Sequence, residues 1–205
     1  MLLTIPAFKA FGRKLSSKQC RGFAASASGF DKIGVVGLGL MGHGICQVAA
    51  ASGIHSKGVV AYEPKQEFLD SGKARIEQSL SKLVSKGKLT QETADETMGI
   101  IQFTTDMSYL SDADMIVEAI VEKIDLKKDI YTDLGRICEE KTIFASNTSG
   151  LSITKMAQFS GRADRFLGVH FFNPVQLMRL VEVIKTEETD PVVFDKCYSW
   201  VRLLL

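Results

Sequence analysis

Lys32-Ile33-Gly34-Val35-Val36-Gly37-Leu38-Gly39-Leu40-Met41-Gly42 is the stretch whose reading decides the fold. Lys32 to Val36 is a short β-branched run that ends at a glycine. Three glycines follow at G-x-G-x-x-G spacing. An apolar, small-residue run from Leu40 to Ser52 then stops before Gly53 and reads as a helix packed closely on a sheet. In a strand–turn–helix of this kind the first glycine permits the tight turn and the second lets backbone approach a pyrophosphate. The third lets helix and strand pack closely. The turn's N–H groups and the positive helix end then face an anion. The alternative is that the glycines serve a tight turn and nothing else.

The next element narrows the reading. Lys57 to Tyr62 is a second buried strand, and Glu63 ends it 21 residues beyond Gly42. An acid there accepts hydrogen bonds from an adenosine ribose and repels a 2′-phosphate, which favours NAD over NADP. The cofactor-binding set at the turn is therefore Gly37, Leu38, Gly39, Leu40, Met41, Gly42 and Glu63.

Beyond Glu63, strand and helix patterns alternate. Pro64 to Lys86 is a long polar helix with Ile76, Leu80 and Leu83 as its buried stripe, stopped by Gly87. Thr90 to Thr97 is a short helix with Thr90 as N-cap. Strands are expected at Ile100–Thr104, Asp114–Glu118, Thr142–Ala145, Phe166–His170 and Arg179–Ile184. Helices are expected at Asp125–Cys138, Leu151–Gln158 and from Asp190 onward. Strands separated by helices imply a mostly parallel sheet with right-handed crossovers, an α/β domain over residues 31–205.

Charge and composition exclude several classes. Of 205 residues, 45% are hydrophobic, enough for a core, and the net charge is +1. Residues 1–30 hold Lys9, Arg13, Lys14, Lys18 and Arg21 and no acid; the remainder has 20 basic against 24 acidic side chains. A mildly acidic body gives no general reason to bind nucleic acid or an anionic membrane. No apolar run is long enough for a membrane span. Residues 1–30, rich in Ser, Ala and basic side chains, read as a presequence addressed to the mitochondrial matrix and disordered in the folded protein. Cys20, Cys46, Cys138 and Cys197 lack metal-ligand spacing and read as free thiols; no metal site is expected.

Three further stretches carry a family resemblance: Val117-Glu118-Ala119-Ile120-Val121-Glu122, Ala145-Ser146-Asn147-Thr148-Ser149, and His170-Phe171-Phe172-Asn173-Pro174-Val175 running to Leu180-Val181-Glu182. In order and spacing, from about Lys32 to about Ile184, they resemble the L-3-hydroxyacyl-CoA dehydrogenases of fatty-acid β-oxidation. The resemblance implies a Rossmann-type doubly wound sheet with helices on both faces and a protruding helical arm. It implies NAD-dependent oxidation of an acyl-CoA 3-hydroxyl to a 3-keto group. His170 is then the base, Glu182 its orienting partner, and Ser149 the residue that hydrogen-bonds the substrate oxygen beside the nicotinamide. Glu122, Lys127 and Asn173 match positions at the cofactor, and Ser79 and Lys86 match positions at the CoA portion. The chemistry fits independently: taking hydride from a secondary alcohol also requires removing its hydroxyl proton, and a histidine suits that task. Read alone, Ser149 suits a helix N-cap, Asn173 a turn before Pro174, and Glu122 and Lys127 a solvated helix start.

The family's enzymes continue into an all-helical second domain that closes over acyl-CoA and forms a homodimer. This sequence stops inside the helix that should lead there, and Trp200-Val201-Arg202-Leu203-Leu204-Leu205 departs from the charged helix expected. Two other readings therefore stand beside the enzyme: a module that holds NAD without turnover, and a relative acting on a hydroxy acid without CoA.

Overall fold

A computed structural model of the chain describes residues 2–4 and 29–205. The elements are β1 (Leu2–Thr4), β2 (Lys32–Val36), α1 (Gly42–Ala51), β3 (Gly58–Tyr62), α2 (Gln66–Ser85), α3 (Gln91–Gly99) and β4 (Ile101–Thr104). They continue with β5 (Met115–Glu118), α4 (Ile124–Ile137), β6 (Ile143–Ser146), α5 (Ile153–Ser160), β7 (Phe166–Phe171), β8 (Leu180–Ile184) and α6 (Pro191–Leu204). Each expected element from Lys32 onward is present, shifted by one or two residues at its ends. Thr90 caps α3 as anticipated, its side chain accepting from Thr93 N–H at 3.1 Å.

One sheet carries the fold, in the order β1-β8-β7-β6-β5-β2-β3-β4. Pairing is parallel from β7 to β4, while β8 runs antiparallel to β7. The chain winds outward from β2 through β3 to β4, then returns to the other side of β2 as β5. That reversal leaves a crevice between β2 and β5 at the carboxyl ends of the strands, where sheets of this kind bind ligands. The glycine turn leaves the end of β2 and so opens into the crevice.

Both faces of the sheet are covered, which is why its strands read as near-continuous apolar runs. Ile33, Val35, Val59 and Ala61 pack with Ile45, Ala49, Leu69 and Ile76 on one face; Val36, Val60, Ile116 and Phe144 pack with Tyr131, Leu134 and Met156 on the other. The stripe of α2 is Leu69, Ile76 and Leu80; Leu83, expected in it, is half-buried near the helix end.

Residues 1–30, expected to be a disordered presequence, contribute β1, whose Leu2–Thr4 pair antiparallel with Leu180–Glu182 of β8. Most of that segment, with Cys20, lies outside the described residues. Cys46, Cys138 and Cys197 are free and buried. Among the described residues, no helix is long and apolar enough to cross a membrane.

Aromatic packing ties down the last helix. Trp200 is fully buried, edge-on to Phe30 and Phe171. Its indole N–H donates to His55 Nε2 at 3.2 Å, while His55 Nδ1 lies 2.9 Å from the Phe30 carbonyl. Nδ1 therefore carries the ring proton and the ring is neutral. Burial lowers the proton affinity of His55, outweighing the Phe30 carbonyl and the charges of Asp114 and Asp31, which act the other way. The unfolded chain takes up this proton near pH 6.5 and the folded chain resists it, so folding is favoured above that pH and loses stability as pH falls below it. His55→Leu should cost about 1–3 kcal/mol at pH 7 by removing the acceptor of a buried indole N–H. It should also flatten the fall in urea midpoint between pH 7 and pH 5, followed by the fluorescence of Trp200, the only tryptophan.

Candidate functional site at the carboxyl edge of the sheet

Steric demands separate the three glycines of the turn. Gly37 has φ +88°, outside the range other residues favour. A Cβ on Gly42 would fall 1.7 Å from the Gly37 carbonyl oxygen. These two are required by the chain itself. Gly39 is different: it is exposed, its φ is ordinary, and a Cβ there would meet no protein atom within 4 Å. Nothing within the described chain requires glycine at 39. The open ground above it suits close approach by an external group, and a pyrophosphate fits.

Glu63 lies beside this turn. Leu38 N–H donates to its Oε2 at 3.2 Å and Lys65 N–H to its Oε1 at 3.4 Å. Leu40 and Met41 lead into α1, and Leu40 is exposed. His43, in the first turn of α1, places Nδ1 2.8 Å from the Gly39 carbonyl oxygen.

The far side of the crevice holds the histidine. His170 and Glu182 face each other in the antiparallel register of β7 and β8, and His170 Nδ1 lies 2.8 Å from Glu182 Oε2. A carboxylate at Nδ1 fixes the tautomer with its proton there, leaving the Nε2 lone pair free to accept one. The His170 side chain is 17% exposed, enough for a small group to reach it. Asn147 Oδ1 accepts from Phe171 N–H at 2.8 Å, pinning the end of β7 to the loop after β6.

Between turn and histidine sits a buried ion cluster. Lys127 Nζ is 2.6 Å from Glu118 Oε1 and 3.2 Å from Glu122 Oε2. Glu118 is completely buried and also accepts from Ser146 Oγ at 2.7 Å, Tyr131 OH at 3.1 Å and Ile120 N–H at 2.8 Å. Glu122 accepts from Thr148 Oγ1 at 2.7 Å and Ser149 N–H at 2.8 Å. Partial burial works to raise the Glu122 carboxyl, but these bonds and the Lys127 ammonium outweigh it and hold it below the usual carboxylate value.

The structure thus gathers Gly37–Gly42, Glu63, Glu122, Lys127, Ser149, His170 and Glu182 along one edge. Asn173 is exposed just beyond β7, preceding Pro174 in a cis peptide. Ser149 is not a helix cap; α5 is capped by Ser152, which accepts from Lys155 N–H. Lys127, at 1% exposure, reaches two carboxylates rather than open solvent. Ser79 is half-buried along α2 and Lys86 exposed at its end; no described hydrogen bond or ion pair links either to the strand-end cluster. Glu118 and Asn147 were overlooked as site residues. Their signal was present, since both stand inside the quoted motifs, but only the pairing of β5, β6 and β7 reveals their partners. A separate groove of about 550 Å³ between α2 and α3, lined by Lys73, Leu80, Met98 and Phe103, holds none of these residues. No group of three or more His, Cys, Asp or Glu among the described residues is arranged to hold a metal.

A phosphate turn and a histidine oriented by a carboxylate, on opposite sides of one crevice, define the class of dinucleotide-dependent dehydrogenases. Comparison with known proteins gives the family. The family model described as "3-hydroxyacyl-CoA dehydrogenase, NAD binding domain" matches residues 32–204. A "Probable 3-hydroxybutyryl-CoA dehydrogenase" from Deinococcus radiodurans is 52% identical over 158 residues, covering 77% of this chain and 55% of that protein. The "Hydroxyacyl-coenzyme A dehydrogenase, mitochondrial" of Homo sapiens is 40% identical over 200 residues, covering 95% of this chain and 63% of the relative. The crystal structure of (S)-3-hydroxybutyryl-CoA dehydrogenase from Ralstonia eutropha superposes with a TM-score of 0.82 at 37% identity, covering 85% of this chain and 61% of that one. The chain belongs to the 3-hydroxyacyl-CoA dehydrogenase family and carries its NAD binding domain. It spans between half and two thirds of the length of these relatives.

Gly39→Ala should leave stability within about 0.5 kcal/mol of wild type and weaken NAD binding by about tenfold or more. Gly42→Ala should destabilise by about 2–4 kcal/mol through backbone overlap. Urea unfolding and calorimetry with NAD separate the two outcomes.

Proposed function

We propose that this chain is the cofactor-binding and proton-abstracting half of an enzyme that oxidises L-3-hydroxyacyl-CoA to 3-ketoacyl-CoA. The observation that carries it is the His170–Glu182 pair, held across the crevice from a turn whose middle glycine the protein itself does not need. In this reading the Gly37–Gly42 turn holds the pyrophosphate through its amides beyond Gly37 and Leu38, which donate to the Tyr62 carbonyl and to Glu63, while Glu63 holds the adenosine ribose, and Ser149 and Asn173 the nicotinamide end. NAD, when bound, supplies the hydride acceptor. His170 Nε2 takes the proton of the substrate 3-hydroxyl as hydride leaves the same carbon. Glu182 keeps the ring in the receptive tautomer and stabilises the imidazolium. Ser149 Oγ, which donates to Glu122 Oε1 at 3.3 Å in this structure, turns its proton to the substrate oxygen as it becomes a carbonyl. Lys127 acts on the cofactor side through Glu122.

Ser79 and Lys86 on α2 are proposed to meet the CoA portion, where the Lys86 ammonium suits a phosphate. The relatives include both bacterial proteins and a mitochondrial one. A matrix location is proposed from the acid-free, basic residues 1–30. A homodimer formed through a helical second domain, as the family resemblance implies, is part of the same proposal.

NADH formation from 3-hydroxybutyryl-CoA tests the reading. His170→Ala should lower kcat by about 10²–10⁴-fold with little change in KM. Turnover no higher than this variant's would contradict the proposal for the chain and leave NAD binding without chemistry. Lys86→Glu should raise KM for acyl-CoA about tenfold at unchanged kcat; an unchanged KM would favour a substrate without CoA.

A further inference from the structure

The sheet order fixes the succession of groups along the ligand edge. From β3 through β2, β5 and β6 to β7, the strand ends present Glu63, the glycine turn, Glu118 with Glu122, Ser149 and His170. Neighbouring strands lie about 4.8 Å apart, so this edge spans about 19 Å, room for an extended dinucleotide. Its adenosine end belongs at Glu63 and its hydride-accepting end near His170. The nicotinamide ring then lies over the ends of β5, β6 and β7, beside the buried ion cluster.

The charges in that cluster do not cancel. Two carboxylates, Glu118 and Glu122, share one ammonium, Lys127. Glu118 is enclosed and its oxygens are engaged by Lys127, Ser146, Tyr131 and the Ile120 amide. The surplus negative charge therefore faces outward through Glu122, whose side chain is 45% exposed and is fixed by Thr148 and Ser149. Lys123 and Asp125, both exposed on the same turn of chain, offset one another. A nicotinamide ring is positively charged when oxidised and neutral when reduced, and the rest of the dinucleotide is the same in both forms. A fixed negative charge beside the ring acts on one form only.

We propose that the Glu118–Lys127–Glu122 cluster discriminates between the oxidation states of the cofactor, with Glu122 as the discriminating charge and Glu118 and Lys127 as positioning residues. The inference rests on the dinucleotide reading above. Oxidised cofactor is held more tightly because of the cluster, and the reduced form gains nothing from it. For a half-exposed charge several ångströms from the ring, the effect is on the order of three- to tenfold in affinity.

Calorimetry on the intact chain and on Glu122→Gln, with NAD, NADH and ADP-ribose, tests it. Glutamine keeps one oxygen for Thr148 and the Ser149 amide, removes the charge, and replaces the oxygen that accepts from Lys127 with an NH2 group. ADP-ribose lacks the ring and reports whether the rest of the site is intact. The variant should bind NAD about three- to tenfold more weakly, with NADH and ADP-ribose within twofold of wild type. Equal loss for all three ligands would make Glu122 a holder of the Ser149 loop alone and overturn the proposal; an unchanged ratio of NAD to NADH affinity would also overturn it. Wild-type protein supplies a second measurement that no folding defect can obscure: raising salt from low to high should shrink its NAD-to-NADH affinity ratio. A salt-independent ratio contradicts the proposal. A wild-type chain that binds none of the three overturns the dinucleotide reading itself, and this inference with it.

Discussion

The contact between Gly42 and the Gly37 carbonyl is the constraint on which the rest of the edge depends. No side chain fits between them, so α1 begins directly against the end of β2 and its N-terminal amides open into the crevice at the reversal in strand order. The same helix carries the constraint onward. Gly44 lets α1 close on Val175, where a Cβ would come within 2.8 Å of that side chain, and Gln47 accepts from Gln176 Nε2 at 3.1 Å. The turn and the loop that follows His170 are thus two ends of one packed unit, and a shift of α1 would displace both.

On the other side of the crevice, precision comes from polar groups placed where water is excluded. A buried pair such as Glu118 with Lys127 contributes little net stability when desolvation is counted. Its geometry, however, is unforgiving, because removing either partner strands a charge. The contacts of Glu118 reach three elements: β6 through Ser146, α4 through Tyr131 and Lys127, and its own loop through Ile120. That makes it a rigid base for Glu122 and the Ser149 loop. Asn147 does the corresponding work for β7 through the Phe171 amide. The proposed base is therefore set by the neighbouring strand β8, and the proposed oxygen donor by a loop that Glu122 holds at the end of β6.

Much of the fold was legible because it is local. The β-branched run before Gly37, the Thr90 cap and the period of α2 are short-range signals, and each element appears where its pattern lies. His170 and Glu182 were also legible, since a spacing of twelve suits two adjacent strands joined by a loop. What escaped depends on residues far apart in the chain. Glu118 meets Ser146 across 28 residues, and Trp200 meets His55 across 145. In the apolar ending, which departs from the expected charged helix, Trp200 has its reason in that contact, packed between Phe30 and Phe171, whereas Leu203 is exposed. Lys127 shows the limit most plainly. In sequence it belongs to a charged, solvated helix start; in the structure it is sealed between two carboxylates.

The central claim is that a dinucleotide lies along the carboxyl edge with its adenosine at Glu63 and its nicotinamide beside Ser149 and His170. Mapping backbone amide shifts by NMR during titration with NAD, and separately with ADP-ribose, tests it most directly. The account predicts that both ligands perturb Gly37 to Gly42 and Glu63, and that only NAD perturbs Glu122, Ser149 and His170. Perturbations centred on the groove between α2 and α3, or identical maps for the two ligands, would contradict it.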